Sequence, residues 1–167
     1  MLLLQNPDQQ EKTIDGEELQ FQIFRMQENM KQIAKKWEVI GIDQTKDDSL
    51  VIVYAFDDGK QCKIMLNECD SAFQGNWDFS IQATYKKDNR IHIGDIKGPS
   101  NRGYGSICMN YLKERAKDNN IPTITGDIAE RDWGHVDRLI HFYEKHNFDV
   151  MLDKEDKSGE IVWSNHF

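Results

Sequence analysis

Residues 90–116 constrain this chain more than any other stretch. Arg90–Lys97 reads as a strand, and Gly98-Pro99-Ser100-Asn101-Arg102-Gly103-Tyr104-Gly105-Ser106 is a glycine-rich loop. A helix follows, with Ile107, Cys108, Tyr111, Leu112 and Ala116 on one side and Lys113, Glu114 and Lys117 on the other. A strand that turns through such a loop into a helix presents the helix's first free N–H groups there, and the helix dipole adds partial positive charge. Gly103 and Gly105 let a ligand come close to the backbone and Arg102 adds a formal charge, so the turn has the means to bind a pyrophosphate. It is not a dinucleotide fingerprint, because Cys108 stands at the third glycine. It is not a nucleotide P-loop either, because no Gly-Lys-Ser/Thr follows. Read alone, a plain strand-to-helix turn fits it equally well.

The rest of the chain supplies the elements around that turn. Residues 1–14 read as a loose arm, and Asp15, with Glu18 three residues on, can cap a helix over 15–37. Leu19, Ile23, Met26, Met30, Ile33 and Trp37 form one helical stripe, read as a core face. Strands are expected over Glu38–Asp43 and Ser49–Phe56, then, after the turn Asp57-Asp58-Gly59, over Lys60–Asn67. Phe79–Lys86 and Arg90–Lys97 form a second antiparallel pair around Lys87-Asp88-Asn89. After the glycine-rich helix come a strand over Ile121–Ile128 and a helix marked by Val136, Leu139, Ile140 and Tyr143. A closing hairpin over Phe148–Asp153 and Glu160–Trp163 follows. With 167 residues this is one domain, with helices packed on a mixed sheet.

Composition narrows the partners. Lys and Arg number 21 and Asp and Glu 29, a net charge of −8 that disfavours nucleic acid and leaves a cationic substrate open. No apolar run approaches a membrane span, and Met1–Leu4 lacks the flanks of a secretory signal, so a cytoplasmic protein is expected. Cys62, Cys69 and Cys108 are odd in number and widely spaced, and read as reduced thiols. His135, His141 and His146 have spacings that do not stack on one helix face, so no metal site is expected. Trp77 with Phe73 and Phe79 reads as core before substrate pocket, and Asp132 or a neighbour as a cap for the helix after it.

A second window joins the first. Phe142-Tyr143-Glu144-Lys145-His146-Asn147-Phe148 closes the helix that follows the strand Ile121–Ile128. Together with Ser100-Asn101-Arg102-Gly103-Tyr104-Gly105, it resembles the GNAT acetyltransferase superfamily over residues 78–167. Members of that superfamily carry a Gln/Arg-x-x-Gly-x-Gly/Ala loop and a downstream Phe-Tyr-Glu-Lys-x-Gly-Phe segment. Ser100 replaces the usual Gln or Arg, and Asn147 replaces a glycine whose left-handed conformation Asn also adopts.

The resemblance implies an α/β (α+β) GNAT-like domain with a central, mostly antiparallel sheet and a C-terminal β-hairpin. It implies acetyl-CoA as cofactor and direct acetyl transfer to a primary amine, a small molecule or a peptide, with a basic acceptor favoured by the charge. Asn101, Arg102, Gly103, Tyr104, Gly105 and Ser106 would hold the pyrophosphate. The strand end at Asp95, Ile96 and Lys97 would pair with the pantetheine arm. Tyr143 would be the general acid that protonates the leaving thiolate. Asp95 or His92 would accept the amine's proton, Asp95 being favoured; as residues three apart on one strand they should point to opposite faces. A non-catalytic CoA-binding sensor or interaction module on the same fold is the alternative, and a homodimer is left open.

Overall fold

A computed structural model describes residues 7–165, with side chains from Gly16 onward. One eight-stranded sheet organises the chain, in the order β1-β2-β3-β4-β5-β6-β8-β7. The strands are β1 (Glu38–Gln44), β2 (Leu50–Asp57), β3 (Gln61–Glu68), β4 (Phe79–Lys86), β5 (Arg90–Lys97), β6 (Thr123–Ile128), β7 (Asp149–Asp153) and β8 (Ser158–Ser164). The helices are α1 (Pro7–Ile33), α2 (Tyr104–Asp118) and α3 (Val136–Lys145), with a 3-10 turn over Glu130–His135 before α3. Every neighbouring pair of strands is antiparallel except β5 and β6, which are joined through α2 and run parallel.

The two faces of the sheet differ. On one, α2 and α3 bury a single apolar cluster. Leu112, Cys108, Met109 and Ala116 of α2 meet Ile64, Ile81, Ile91 and Ile93 of the strands, and Tyr143, Phe148 and Ile161 close the far side. On the other, α1 covers only the first strands: Ile33 packs with Ile52, Tyr54 and Met65, and Met26, Met30 and Trp37 lie at the edge. Asn29 ties α1 to the β3–β4 loop, donating to the Ser71 carbonyl and accepting from the Phe73 amide.

Two expectations about the N-terminus change. Helix α1 starts at Pro7 rather than Asp15, so residues 7–14 are helical and not a loose arm. Residues 1–6 of the expected arm lie outside the described residues. The stripe from Leu19 to Trp37 is a core face only from Met26 on, because Leu19, Phe21, Ile23 and Phe24 are exposed. The aromatic trio also divides. Phe73 and Trp77 pack on the α1 face around Trp37 and Tyr54, while Phe79 lies beneath α2, edge-on to Tyr104.

One irregularity sets the geometry of the site. Along β4–β5, Ala83 faces Ile93 but its neighbour Gln82 faces Asp95, so Gly94 is an extra residue, a β-bulge. The bulge inverts the alternation beyond it. His92 opposes Thr84 and Asp95 opposes Gln82, and Thr84 and Gln82 share one face of β4. His92 and Asp95 therefore point to the same face, not to opposite ones. That face is the one α1 leaves uncovered at β4–β6.

Candidate active site

The parallel pair comes apart in the middle of the sheet. β5 and β6 are paired from Arg90 opposite Thr123 to Ile93 opposite Gly126, and no further. Beyond that point β5 stays with β4 as far as Lys97 opposite Ser80, while β6 stays with β8 as far as Ile128 opposite Gly159. The bulge at Gly94 supplies a local reason, since an extra residue bends its strand and strengthens its twist. The β6-facing edge of Asp95, Ile96 and Lys97 is thus left without a strand partner among the described residues. Unpaired backbone groups inside a sheet are a template for an extended ligand that carries amides of its own.

The start of α2 is open to an anion. Gly103 is its N-cap at φ 81°, a left-handed conformation that glycine adopts freely, and no side chain caps the helix. The first intrahelical bond runs from the Ile107 amide to the Gly103 carbonyl, so the amides of Tyr104, Gly105 and Ser106 have no carbonyl to meet within the helix. No carboxylate lies in the first turn. Gly105 is tightly packed: a β-carbon there would lie 3.1 Å from the Phe142 ring on α3, which would have to shift to admit it. Asn101, at φ 63°, shapes the preceding loop. The Ser106 hydroxyl and His146 Nε2 share a hydrogen bond at 3.0 Å, which ties the first turn of α2 to the end of α3. His146 is buried, and burial, with Lys113 nearby, pushes its pKa down to about 4.

A residue that local sequence patterns do not reveal sits beside this turn. Glu68, the last residue of β3, accepts a hydrogen bond from the Tyr104 hydroxyl and lies 4.0 Å from the exposed Arg102 guanidinium. Burial and the Glu68 carboxylate raise the Tyr104 phenol well above its usual range. Glu68 is 36 residues from Tyr104 in the chain, so only strand order brings it here.

Tyr143 lies on the packed face. It is 7 % exposed, sits 5.3 Å from the Phe142 ring and 5.5 Å from the Phe148 ring, and belongs to the cluster that holds Ile91, Ile93, Tyr104 and Ile128. Burial, and then the charge of Asp132, push its pKa up to about 12, so the phenol keeps its proton throughout the neutral range. Asp132 itself caps the 3-10 turn by accepting from the Ala129 amide, and not α3 as the sequence suggested.

The opposite face carries β5's polar side chains. Asp95 is half-exposed and 3.2 Å from the Lys97 ammonium. His92 contacts β6 with both ring nitrogens: Nδ1 is 2.8 Å from the Thr125 hydroxyl and Nε2 is 3.2 Å from the Asp127 carboxylate. Arg90 donates to the same Thr125 oxygen at 2.8 Å. The fold therefore brings the α2 loop and Tyr143 to one side of the fork, and His92 and Asp95 together to the other. His135 and His141 stay exposed and apart from buried His146.

No family model matches the chain. Among solved structures, the GNAT domain of S. lividans PAT superposes with a TM-score of 0.60 at 7 % identity, covering 75 % of this chain and 96 % of that one. A candidate streptothricin acetyltransferase from Bacillus anthracis str. Ames, in complex with acetyl coenzyme A, superposes at 0.50 with 20 % identity, over 67 % of this chain and 65 % of that one. Among curated proteins, the uncharacterized protein YocC of Bacillus subtilis (strain 168) is 56 % identical over 163 residues, 98 % of each chain. The chain is a GNAT-fold member of the YocC family. At such identities the solved structures speak for the fold, and the 56 % relation to YocC extends this family over nearly the whole chain. As the sequence reading expected, a long helix, α1, precedes all the strands.

Proposed function

We propose that the protein is an acetyl-CoA-dependent N-acetyltransferase that acts on a primary amine by direct transfer. The observation that carries this reading is the fork between β5 and β6, with an uncapped helix start beside it. The residues present suit the cofactor. The free edge of Asp95, Ile96 and Lys97 pairs with the amides of a pantetheine arm. The loop from Asn101 through Arg102 and Gly103, with the amides of Tyr104, Gly105 and Ser106, receives the pyrophosphate, and the exposed Arg102 side chain adds charge. Acetyl-CoA, when bound, supplies a thioester carbonyl at the fork. Tyr143 holds a proton for the departing sulfur from the packed face, and its raised pKa keeps that proton in place at neutral pH. The amine arrives from the open face, where Asp95 and His92 stand as proton acceptors. The location proposed is the cytoplasm; among the described residues no helix is long and apolar enough to cross a membrane.

Thermal unfolding with acetyl-CoA, CoA and ATP tests the reading. Ligand at about 100 times its dissociation constant adds about 2.7 kcal/mol to the native state. A saturable rise in Tm with acetyl-CoA and CoA, but not with ATP, is expected. No rise at millimolar acetyl-CoA would reduce the α2 turn to a structural device.

A further inference from the structure

Helix α1 carries two stripes on opposite sides, and the sheet covers only one of them. Leu19, Ile23, Met26, Met30 and Ile33 recur at spacings of four and three, and from Met26 on they pack with Ile52, Tyr54 and Met65. Glu17, Phe21, Phe24, Glu28 and Lys31 recur at the same spacings. At 3.6 residues per turn this second stripe lies about 160° round the helix from the first, so it looks away from the sheet. Phe21 is 59 % exposed and Phe24 60 %, and Leu19 and Ile23 are exposed as well. Arg25 rims the patch, its guanidinium 5.5 Å from the centroid of the Phe21 ring. Over residues 19–24 the helix is therefore apolar nearly all round, the pattern of a helix covered on both sides and not of one resting on a sheet. Single exposed apolar residues are ordinary, but four within six positions, two of them phenylalanines, form a contact patch.

The charges on the outer stripe say what covers it. Glu17 stands as far before Phe24 as Lys31 stands after it, with the phenylalanines between. A helix ordered in this way complements a second copy of itself. Laid antiparallel with a two-fold axis at Phe24, the pair sets Glu17 of each copy level with Lys31 of the other, and Phe24 level with Phe24. Glu28 falls level with the uncharged Gln20. A parallel pair in register would instead set Glu17 against Glu17 and Lys31 against Lys31, a juxtaposition that costs free energy at both ends. Lys31 is mostly in solvent and pairs with its helical neighbour Glu28 at 3.3 Å, so its ammonium can turn outward. A hollow of about 370 Å³ borders the same face, lined by Gln27, Met30, Lys31, Ala34 and Val39. In the antiparallel register Leu19 of the other copy comes level with it, between Gln27 and Lys31.

We propose that the protein is a homodimer held by its α1 helices, packed antiparallel about Phe24. Phe21 and Phe24 of both copies form the dry centre of the contact, and Glu17 and Lys31 pair across its two ends. The aromatic centre supplies most of the affinity, because buried aromatic anchors dominate interfaces. The charged ends fix orientation and register more than strength. The symmetry makes every substitution count twice, once in each copy. The proposal uses no residue of the β5–β6 fork and stands apart from the acetyltransferase reading.

Sedimentation velocity on the full chain, from low to high micromolar concentration, is the test. A particle of twice the 19.6 kDa chain mass is expected, with a Tm that rises with protein concentration. Phe24→Glu sets two like charges at the axis and should weaken association by about 10²–10³-fold, leaving a folded monomer, since Phe24 is exposed in the single chain. Glu17→Lys and Lys31→Glu each create two like-charge pairs and should each weaken the dimer at low salt, while the double variant should recover it. Phe24→Cys should give a disulfide-linked dimer on mild oxidation, because the axis brings the two positions together and Cys62, Cys69 and Cys108 are buried. A monomer at high micromolar concentration would overturn the proposal, and so would a dimer that survives Phe24→Glu. Single charge reversals without effect, or a double variant that stays as weak as the singles, would overturn the antiparallel register.

Discussion

The two faces of the central sheet are made of the same strands and do different work. Under α2 and α3 the strands present Ile64, Ile81, Ile91 and Ile93, all at 6 % exposure or less, against a helix whose inner residues are fully buried. On the other face of β4–β6 the same strands present Gln82, Thr84, Arg90, His92, Thr125 and Asp127, and α1 stops short of them. One face spends its surface on apolar burial and carries the stability. The other keeps its polar groups bonded to one another and open to solvent. The difference shows how one period-two pattern yields a core and a reaction surface at once, provided that a helix covers only one of them.

Tyr143 is where the division is expected to break. It packs like a core residue and is proposed to react like a surface one, so Tyr143→Phe separates the roles. Turnover should fall about 10²–10⁴-fold, roughly 3–5 kcal/mol in the barrier, while chemical denaturation shifts by no more than about 1 kcal/mol. Unchanged turnover would return Tyr143 to the core. Leu112→Ala should show the opposite profile. Leu112 is fully buried under α2, and its truncation should cost about 3 kcal/mol of stability, read as a lower denaturation midpoint with an unchanged slope.

The packed face also carries a pH signature. His146 is neutral when folded, with its pKa pushed down to about 4, whereas the unfolded residue titrates near 6.5. Between those values the unfolded state binds the extra proton, so stability present above about pH 6.5 is lost as pH falls toward 4. The loss should be on the order of 2 kcal/mol and should disappear in His146→Gln; an unaltered acid limb in that variant would assign it to other groups. At the other extreme, Lys97→Ala removes a half-exposed ion pair with Asp95 on the open face. A change in stability within about 0.5 kcal/mol is expected by thermal unfolding, and a larger one would mean that this face bears load as well.

Much of the architecture was legible because it rests on local rules. Strands β4 and β5 fall where the alternation places them, and α2 begins at the residue after Gly103, where the glycine-rich loop hands over to an apolar stripe. The N-terminal half was harder to read. Leu19 and Ile23 continue the helical period of Met26, Met30 and Ile33, yet both are exposed, because periodicity states which residues share a side and not what lies opposite. Glu68 was invisible for a related reason: nothing near it in the chain marks a carboxylate that will meet Tyr104 and Arg102.

The sequence by itself determined the order of elements, the glycine turn ahead of α2 and the place of Tyr143 on an apolar stripe. Each depends on dihedral preferences and side-chain periods within a few residues. Tertiary structure alone decided that Gly94 bulges, because an extra residue is defined only against the partner strand β4. That one residue turned His92 and Asp95 to the same face, and β5 parts from β6 immediately after His92 has met Thr125 and Asp127. Register and twist are properties of pairs of strands, so the fork, and the chemistry proposed at it, exist only once the sheet has assembled.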